Sequence, residues 1–349
     1  MKTLTKRTTK RTTKRIIRAV LLIGTVISLF FVPWLLVWAW ILPLPATVQA
    51  QADEAIRNGF DGIIVYVDQG GKPAQFYAAG WHDRKNSIAA DPHAFFKIAS
   101  IGKLYDAVAI TKLVNNKQLA LQSTIADYFP ELVGRIEYAD RITLKMLVQH
   151  RSGIPNYTNT PYFWDKPTQS YQAALDLILD LPANFAPDSD YEYSNTNYLL
   201  ISKLIEKTSG KTKFQFIQEQ ILNPLELQNT FGALSEVNMD NLMGGYHVGV
   251  EENFKTNNYG SMIATAEDVG IFLRALNDGS LFAEGGQEIY ASIYEYEHGG
   301  WVPGYQSHAR YYKDSDTVII QFNNTTDDKL YYWNLSQIIF NRIAKIVKG

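Results

Sequence analysis

Strand-like segments occur only toward the two ends of this chain, around a long helical middle, and that arrangement most constrains the fold. Asp61 to Val67 and Ala74 to Ala79 read as strands joined by a Gln-Gly-Gly-Lys turn, a predicted hairpin. Strand patterns return at Glu288 to Tyr296, Ser307 to Tyr312 and Thr317 to Asn323. Between them, Ser100 to Asn115 has helical periodicity in Ile101, Leu104, Ala107, Val108 and Leu113. Thr143 to His150, Tyr171 to Leu181, Tyr198 to Thr208 and Ala266 to Asn277 are the best of the following helices, and Leu330 to Val347 closes the chain. One sheet built from both chain ends, with a helical insertion over roughly 115–280, is the expected architecture. No internal repeat or linker divides it.

Composition narrows the chemistry. With 349 residues and 46% apolar content, the chain can bury a large core. Cysteine is absent, which excludes disulfides and thiolate metal sites, and none of the six histidines falls in a metal-ligand pattern. No metal and no cofactor are expected.

The N-terminus carries a separate signal. Residues 2 to 18 hold eight Lys or Arg and no acid, and Ala19 to Leu42 is an uncharged stretch of 24 residues. At about 1.5 Å per residue a helix of that length spans about 36 Å, against a hydrocarbon core of about 30 Å. The expectation is a basic cytoplasmic tail (1–18), a transmembrane helix (19–42) and an extracytoplasmic domain (43–349) at the cell membrane. A cleaved signal peptide is the rival, with Val48-Gln49-Ala50 or Ala50-Gln51-Ala52 as the cleavage site. After residue 18, 25 basic residues face all 35 acids, a net charge near −10. A nucleic-acid partner is excluded.

Three short strings carry the chemistry: Ser100-Ile101-Gly102-Lys103, Tyr193-Ser194-Asn195 and His298-Gly299-Gly300. Ser and Lys one helical turn apart share a face, so the amine can reach the hydroxyl and take its proton. A helix beginning near Ser100 adds positive potential for an alkoxide. The serine string occurs once, whereas Tyr-x-Asn also occurs at Tyr157-Thr158-Asn159 and Tyr332-Trp333-Asn334. Neither Ser152 nor Ser194 has a Gly-x-Ser-x-Gly elbow, which removes an α/β-hydrolase reading. Asn195 also reads as a helix N-cap, and His150 as support for the Arg151-Ser152-Gly153 turn.

In order and context these strings resemble the serine β-lactamase and penicillin-binding-protein superfamily, in its class C β-lactamase and D-alanyl-D-alanine carboxypeptidase B branch. The resemblance extends through Phe96-Lys97-Ile98-Ala99, Leu147 to Pro155, Tyr191 to Tyr198, Asn223 to Leu227 and Gly299 to Tyr305. It implies a β-lactamase-like α/β (α+β) fold: an antiparallel sheet flanked by helices, beside an all-helical subdomain, with the site between. It also implies roles. Ser100 is the nucleophile, Lys103 and Tyr193 handle its proton, and Asn195, His298, Gly299, Gly300 and Trp301 bind substrate. The Ser100 and Trp301 N–H groups form the oxyanion hole.

The third string departs from the family's Lys-Thr-Gly or His-Thr-Gly, whose cation or hydroxyl helps to hold a substrate carboxylate. Gly299 has no hydroxyl, and Arg310 is the remaining candidate cation. An anchored envelope hydrolase acting on a D-alanyl linkage is therefore expected, with wall peptide or D-alanylated teichoic acid as substrate and a β-lactam as adduct. A small-ester hydrolase, a weak β-lactamase and a non-hydrolytic penicillin-binding membrane sensor stay open, the last with only an 18-residue tail to signal through. The segment Pro155 to Tyr171, with Tyr157, Tyr162, Phe163 and Trp164, is expected to form an aromatic lip on the cleft.

Overall fold

The computed structural model describes the backbone of residues 2–349 and side chains from Lys14 onward. It divides into two compact units, Met1–Pro43 and Leu44–Gly349.

In the first unit, the helix Lys2–Leu29 ends before Pro33, and a second helix, Trp34–Ile41, leaves at a bend of 80°. The stretch 19–42, expected as one transmembrane helix, is thus divided at Pro33. Proline has no N–H to donate, and its ring clashes with the carbonyl four residues earlier, here that of Leu29. The Trp34 indole N–H donates to that carbonyl instead, at 2.9 Å. Among the described residues no single helix is long and apolar enough to cross a membrane, although the bent pair meets that requirement jointly.

The second unit is built on a six-stranded sheet. Its strands are β1 (Gly62–Gln69), β2 (Gln75–Asp83), β3 (Ile88–Ala89), β4 (His298–Val302), β5 (Tyr305–Tyr312) and β6 (Thr317–Asn323). The spatial order β3-β2-β1-β6-β5-β4 is antiparallel throughout. The first strand pairs with the last, from Ile63 opposite Asn323 to Gln69 opposite Thr317, so the two chain ends close one sheet. β4 is left at the edge.

One face of the sheet carries the helix Val48–Arg57 and the terminal helix Tyr331–Lys348, joined by a 2.7 Å hydrogen bond from Arg342 Nε to the buried Gln51. Both tripeptides read as signal cleavage sites touch this N-terminal helix, whose Val48, Gln51 and Ala52 are buried. Cleavage there would cut a packed element.

The core lies between the sheet and the helical middle. The helix Gly102–Asn115 is buried on nearly every side, with Leu104, and Ile101 just before it, wholly enclosed and Tyr105 stacked on Phe272 at 3.6 Å. Burying each such aliphatic side chain stabilises the fold by about 1.5–3 kcal/mol. The segment Glu288 to Tyr296 is not a strand. Its buried residues are Tyr290 and Ile293, which with Gly286 just before it give a spacing of four and three, and the chain forms the helix Gly286–Ala291 before β4 starts. The alternation of Ile289, Ala291 and Ile293 imitated a strand.

Candidate active site

Ser100 lies on a single 3-10 turn, Ala99–Ile101, that runs into the helix Gly102–Asn115. The predicted α-helical start at Ser100 is thus displaced by two residues, while the one-turn relation to Lys103 persists. Ala99 is held in the left-handed region at φ +50, a strain of about 1–3 kcal/mol for a residue with a Cβ. Its N–H donates to Ser261 Oγ at 2.8 Å, which fixes the turn from the far side of the chain.

Lys103 Nζ donates to Ser100 Oγ at 3.1 Å and to Asn195 Oδ1 at 2.9 Å. The Tyr193 hydroxyl lies 2.7 Å from the same Oγ. The serine oxygen therefore has two proton-exchanging groups within hydrogen-bond reach. Asn195 is the first residue of the helix Asn195–Ser209, with Ser194 preceding it as cap, so the predicted capping role is corrected. Its side chain instead links Lys103 to Thr158 Oγ1, at 3.0 Å, and its backbone N–H donates to Asn156 Oδ1 at 3.1 Å.

His150 acts behind Tyr193. Its Nδ1 accepts from the Ser194 N–H at 3.1 Å, and its ring stacks on that of Tyr193 at 4.4 Å. Burial, with the Lys103 and His298 charges, pulls its pKa down to about 3, so it is neutral in the working range. It sets the position of the Tyr193 string, while the 151–153 turn is secured by Ser152 Oγ, which bonds Asn197 Oδ1 and the Ile154 N–H.

β4 brings the third string to the serine. A Cβ at Gly300 would sit 2.5 Å from the Ile98 carbonyl and 3.0 Å from Ala99 Cβ, so only glycine lets the edge strand lie against the nucleophile turn. Ser307 Oγ, on β5, ties the same Ile98 carbonyl at 2.9 Å. The predicted oxyanion donors, on Ser100 and Trp301, thus belong to two adjoining backbone segments. His298 bonds the Gly299 carbonyl and stacks on Tyr294; burial and the Lys103 charge lower its pKa to about 4. Arg310 does not line the site. Its Nε is paired with Glu297 Oε2 at 2.6 Å, and its guanidinium lies over Phe340.

Ser100, Lys103, Tyr193, Asn195, His298, Gly299 and Trp301 share one cleft of about 900 Å³, together with Asn156, Thr158, Trp164, Tyr259 and Trp333; Gly300 and His150 do not line it. Trp164 meets Trp301 edge-on at 5.5 Å and Tyr259 at 5.8 Å, forming an aromatic wall. Tyr162, expected on the same lip, is 82% exposed and does not line the cleft. Sequence reasoning missed Trp333. Of the two further Tyr-x-Asn strings, Tyr157-Thr158-Asn159 lines the cleft throughout and Tyr332-Trp333-Asn334 reaches it through Trp333. Among the described residues no group of His, Asp or Glu side chains could hold a metal ion.

The beta-lactamase family profile matches residues 46–292. Protein flp of Staphylococcus aureus (strain MW2) is 25% identical over 190 residues, 52% of this chain and 38% of that protein, so the chain spans well under half of this relative. Penicillin-binding protein 4* of Bacillus subtilis (strain 168) is 22% identical over 323 residues, covering 79% of this chain and 70% of that protein. Among solved structures, the D-amino acid amidase from Ochrobactrum anthropi SV3 superposes with a TM-score of 0.76 at 20% identity, over 86% of this chain and 97% of its own. A profile match across more than half the residues settles the matter of descent: the chain belongs to the beta-lactamase family.

Proposed function

We propose that the protein is a serine hydrolase that forms an acyl-enzyme on Ser100 and acts on a D-alanyl or related D-amino-acyl linkage of the cell envelope. One observation carries this reading: Ser100 Oγ lies 3.1 Å from Lys103 Nζ and 2.7 Å from the Tyr193 hydroxyl, in a cleft that admits a substrate. In the first half-reaction Oγ bonds the carbonyl carbon while the Lys103–Tyr193 pair takes its proton. The tetrahedral intermediate then expels the leaving nitrogen or oxygen, which receives that proton. Water attacks the ester, and the acid departs as the proton returns to Ser100. Backbone N–H groups of the nucleophile turn and β4 would stabilise the oxyanion by about 3–4 kcal/mol per donor.

A penicillin-binding protein among the relatives and a D-amino acid amidase among the similar folds support a D-configured acyl group. Membrane attachment through the N-terminal unit is part of the proposal. The eight basic residues before Ala19, and Trp34, Trp38 and Trp40 beyond the bend, favour a cytoplasmic N-terminus and an interfacial belt. The test uses the full chain in detergent, with Ser100→Ala beside it. Both are given a D-Ala-D-Ala peptide, D-alanylated teichoic acid, a nitrophenyl ester and labelled penicillin. Release of D-alanine from one polymer alone would name the substrate. Equal behaviour of wild type and Ser100→Ala on all four probes would overturn the reading.

A further inference from the structure

Gly299 and Trp333 occupy each other's space. A Cβ at residue 299 would lie 2.7 Å from Trp333 Cη2 and 3.2 Å from Cζ2, so the indole edge fills the volume that any side chain on this strand position would need. The indole is held from behind. His308, on β5 directly opposite Gly299, packs on it at 4.7 Å between ring centroids. His308 Nε2 is in turn bonded to Ser336 Oγ at 2.9 Å, one helical turn beyond Trp333. Ser336 is fixed by Asn323 and Gln321, all three buried. Trp333 therefore projects into the cleft from a rigid polar network.

The charges around the cleft agree with this. Among its described lining residues the lysines are Lys103 and Lys213. Lys103 is engaged by Ser100 and Asn195, and Lys213 lies 3.1 Å from the carboxylate of Asp106, itself 3% exposed. His298 is kept neutral by its surroundings. A carboxylate beside the scissile bond would lose water without gaining a cation.

We propose that Trp333 is a specificity-determining residue: its indole closes the Gly299 side of the cleft to carboxylates and restricts the enzyme to esters and amides whose leaving group carries no carboxylate next to the scissile heteroatom. This rests on the hydrolase reading and names its substrate class. An ester of an alcohol fits; a terminal amide whose leaving amino acid bears a free carboxylate does not.

The test is a matched pair of N-acetyl-D-alanyl esters, one of D-lactate and one of D-lactamide, which differ only in carboxylate against carboxamide. The full chain is expected to favour the lactamide ester by about 30-fold in kcat/KM. In Trp333→Ala that ratio should fall about tenfold or more, through the KM of the lactate ester, because water then reaches the anion. Trp333→Phe should keep most of the preference. Taking a ratio cancels any general loss of rate, and Trp333→Leu gives the same reading if the alanine variant does not fold. Equal use of both esters by wild type, or an unchanged ratio in the alanine and leucine variants, would refute the wall and leave the hydrolase standing. Turnover of both esters no faster than by Ser100→Ala would refute the hydrolase and the wall with it.

Discussion

Two groups lie within hydrogen-bond reach of Ser100 Oγ, and each is held by a different part of the fold: Lys103 by its own helix and by Asn195, Tyr193 by the stacked ring of His150. Lys103→Ala and Tyr193→Phe should each slow acylation by a nitrophenyl ester about 10²- to 10⁴-fold in stopped-flow burst measurements. Asn195→Ala should cost less, because the amine keeps its bond to Ser100. A burst as large and fast in Lys103→Ala as in wild type would remove the lysine from the mechanism. At this scale the sequence was legible where chemistry is local, since a Ser and a Lys three residues apart share a helical face wherever the helix lies. It was silent on Thr158 and Trp333, which reach the cleft only because distant segments pack there. Spacing cannot distinguish a chance Tyr-x-Asn from one that tertiary packing turns toward a site.

The edge strand β4 works as one element with the nucleophile turn, and Gly300 is the place where the two touch. Gly300→Ala would drive a methyl group toward the Ile98 carbonyl and Ser307 Oγ, and the strand must move away. The expected result is a fall in kcat of about 10²- to 10³-fold, the size of a lost oxyanion donor, with a smaller effect on KM. Steady-state kinetics on a small ester check it, and unchanged kcat would show that β4 supplies no donor. The aromatic wall makes a second prediction. Trp164→Ala should raise KM for a polymeric substrate about fivefold, the worth of one aromatic contact, while Tyr162→Ala should not, because Tyr162 does not line the cleft. Equal effects of the two variants on a polymer and on a small ester would remove the lip. Elements were read well from the sequence where a strand-length apolar run is buried on both faces, as in β1 and β6, or where a helix buries one face, as at the C-terminus. They were misread where a short apolar run satisfies two periods, as at 288–296, or where a single Pro33 interrupts an otherwise uniform stretch.

The second unit as a whole stores several neutral histidines, and this sets its response to acid. His150 and His308 are buried, and both pKa values are lowered to about 3, the first by burial with the Lys103 and His298 charges, the second by burial with Arg310. An unfolded histidine titrates near 6.5. Above that pH both states are neutral and stability is unaffected. As pH falls below about 6.5 the unfolded chain binds protons that the folded chain refuses, so stability is lost progressively until the folded pKa is reached. Each such histidine contributes a slope of up to about 1.4 kcal/mol per pH unit. Two of them over two units remove about 5 kcal/mol, which is comparable with the whole stability of a typical domain at about 5–15 kcal/mol. Thermal melts should therefore decline steeply between pH 6.5 and 4.5, before most carboxylates titrate. His308→Gln, which can keep a donor toward Ser336, should reduce the slope by about one histidine's share. A melting temperature that is flat across this interval would mean that protons enter the buried sites without unfolding them, and that the packing of His150 against Tyr193 yields to acid locally.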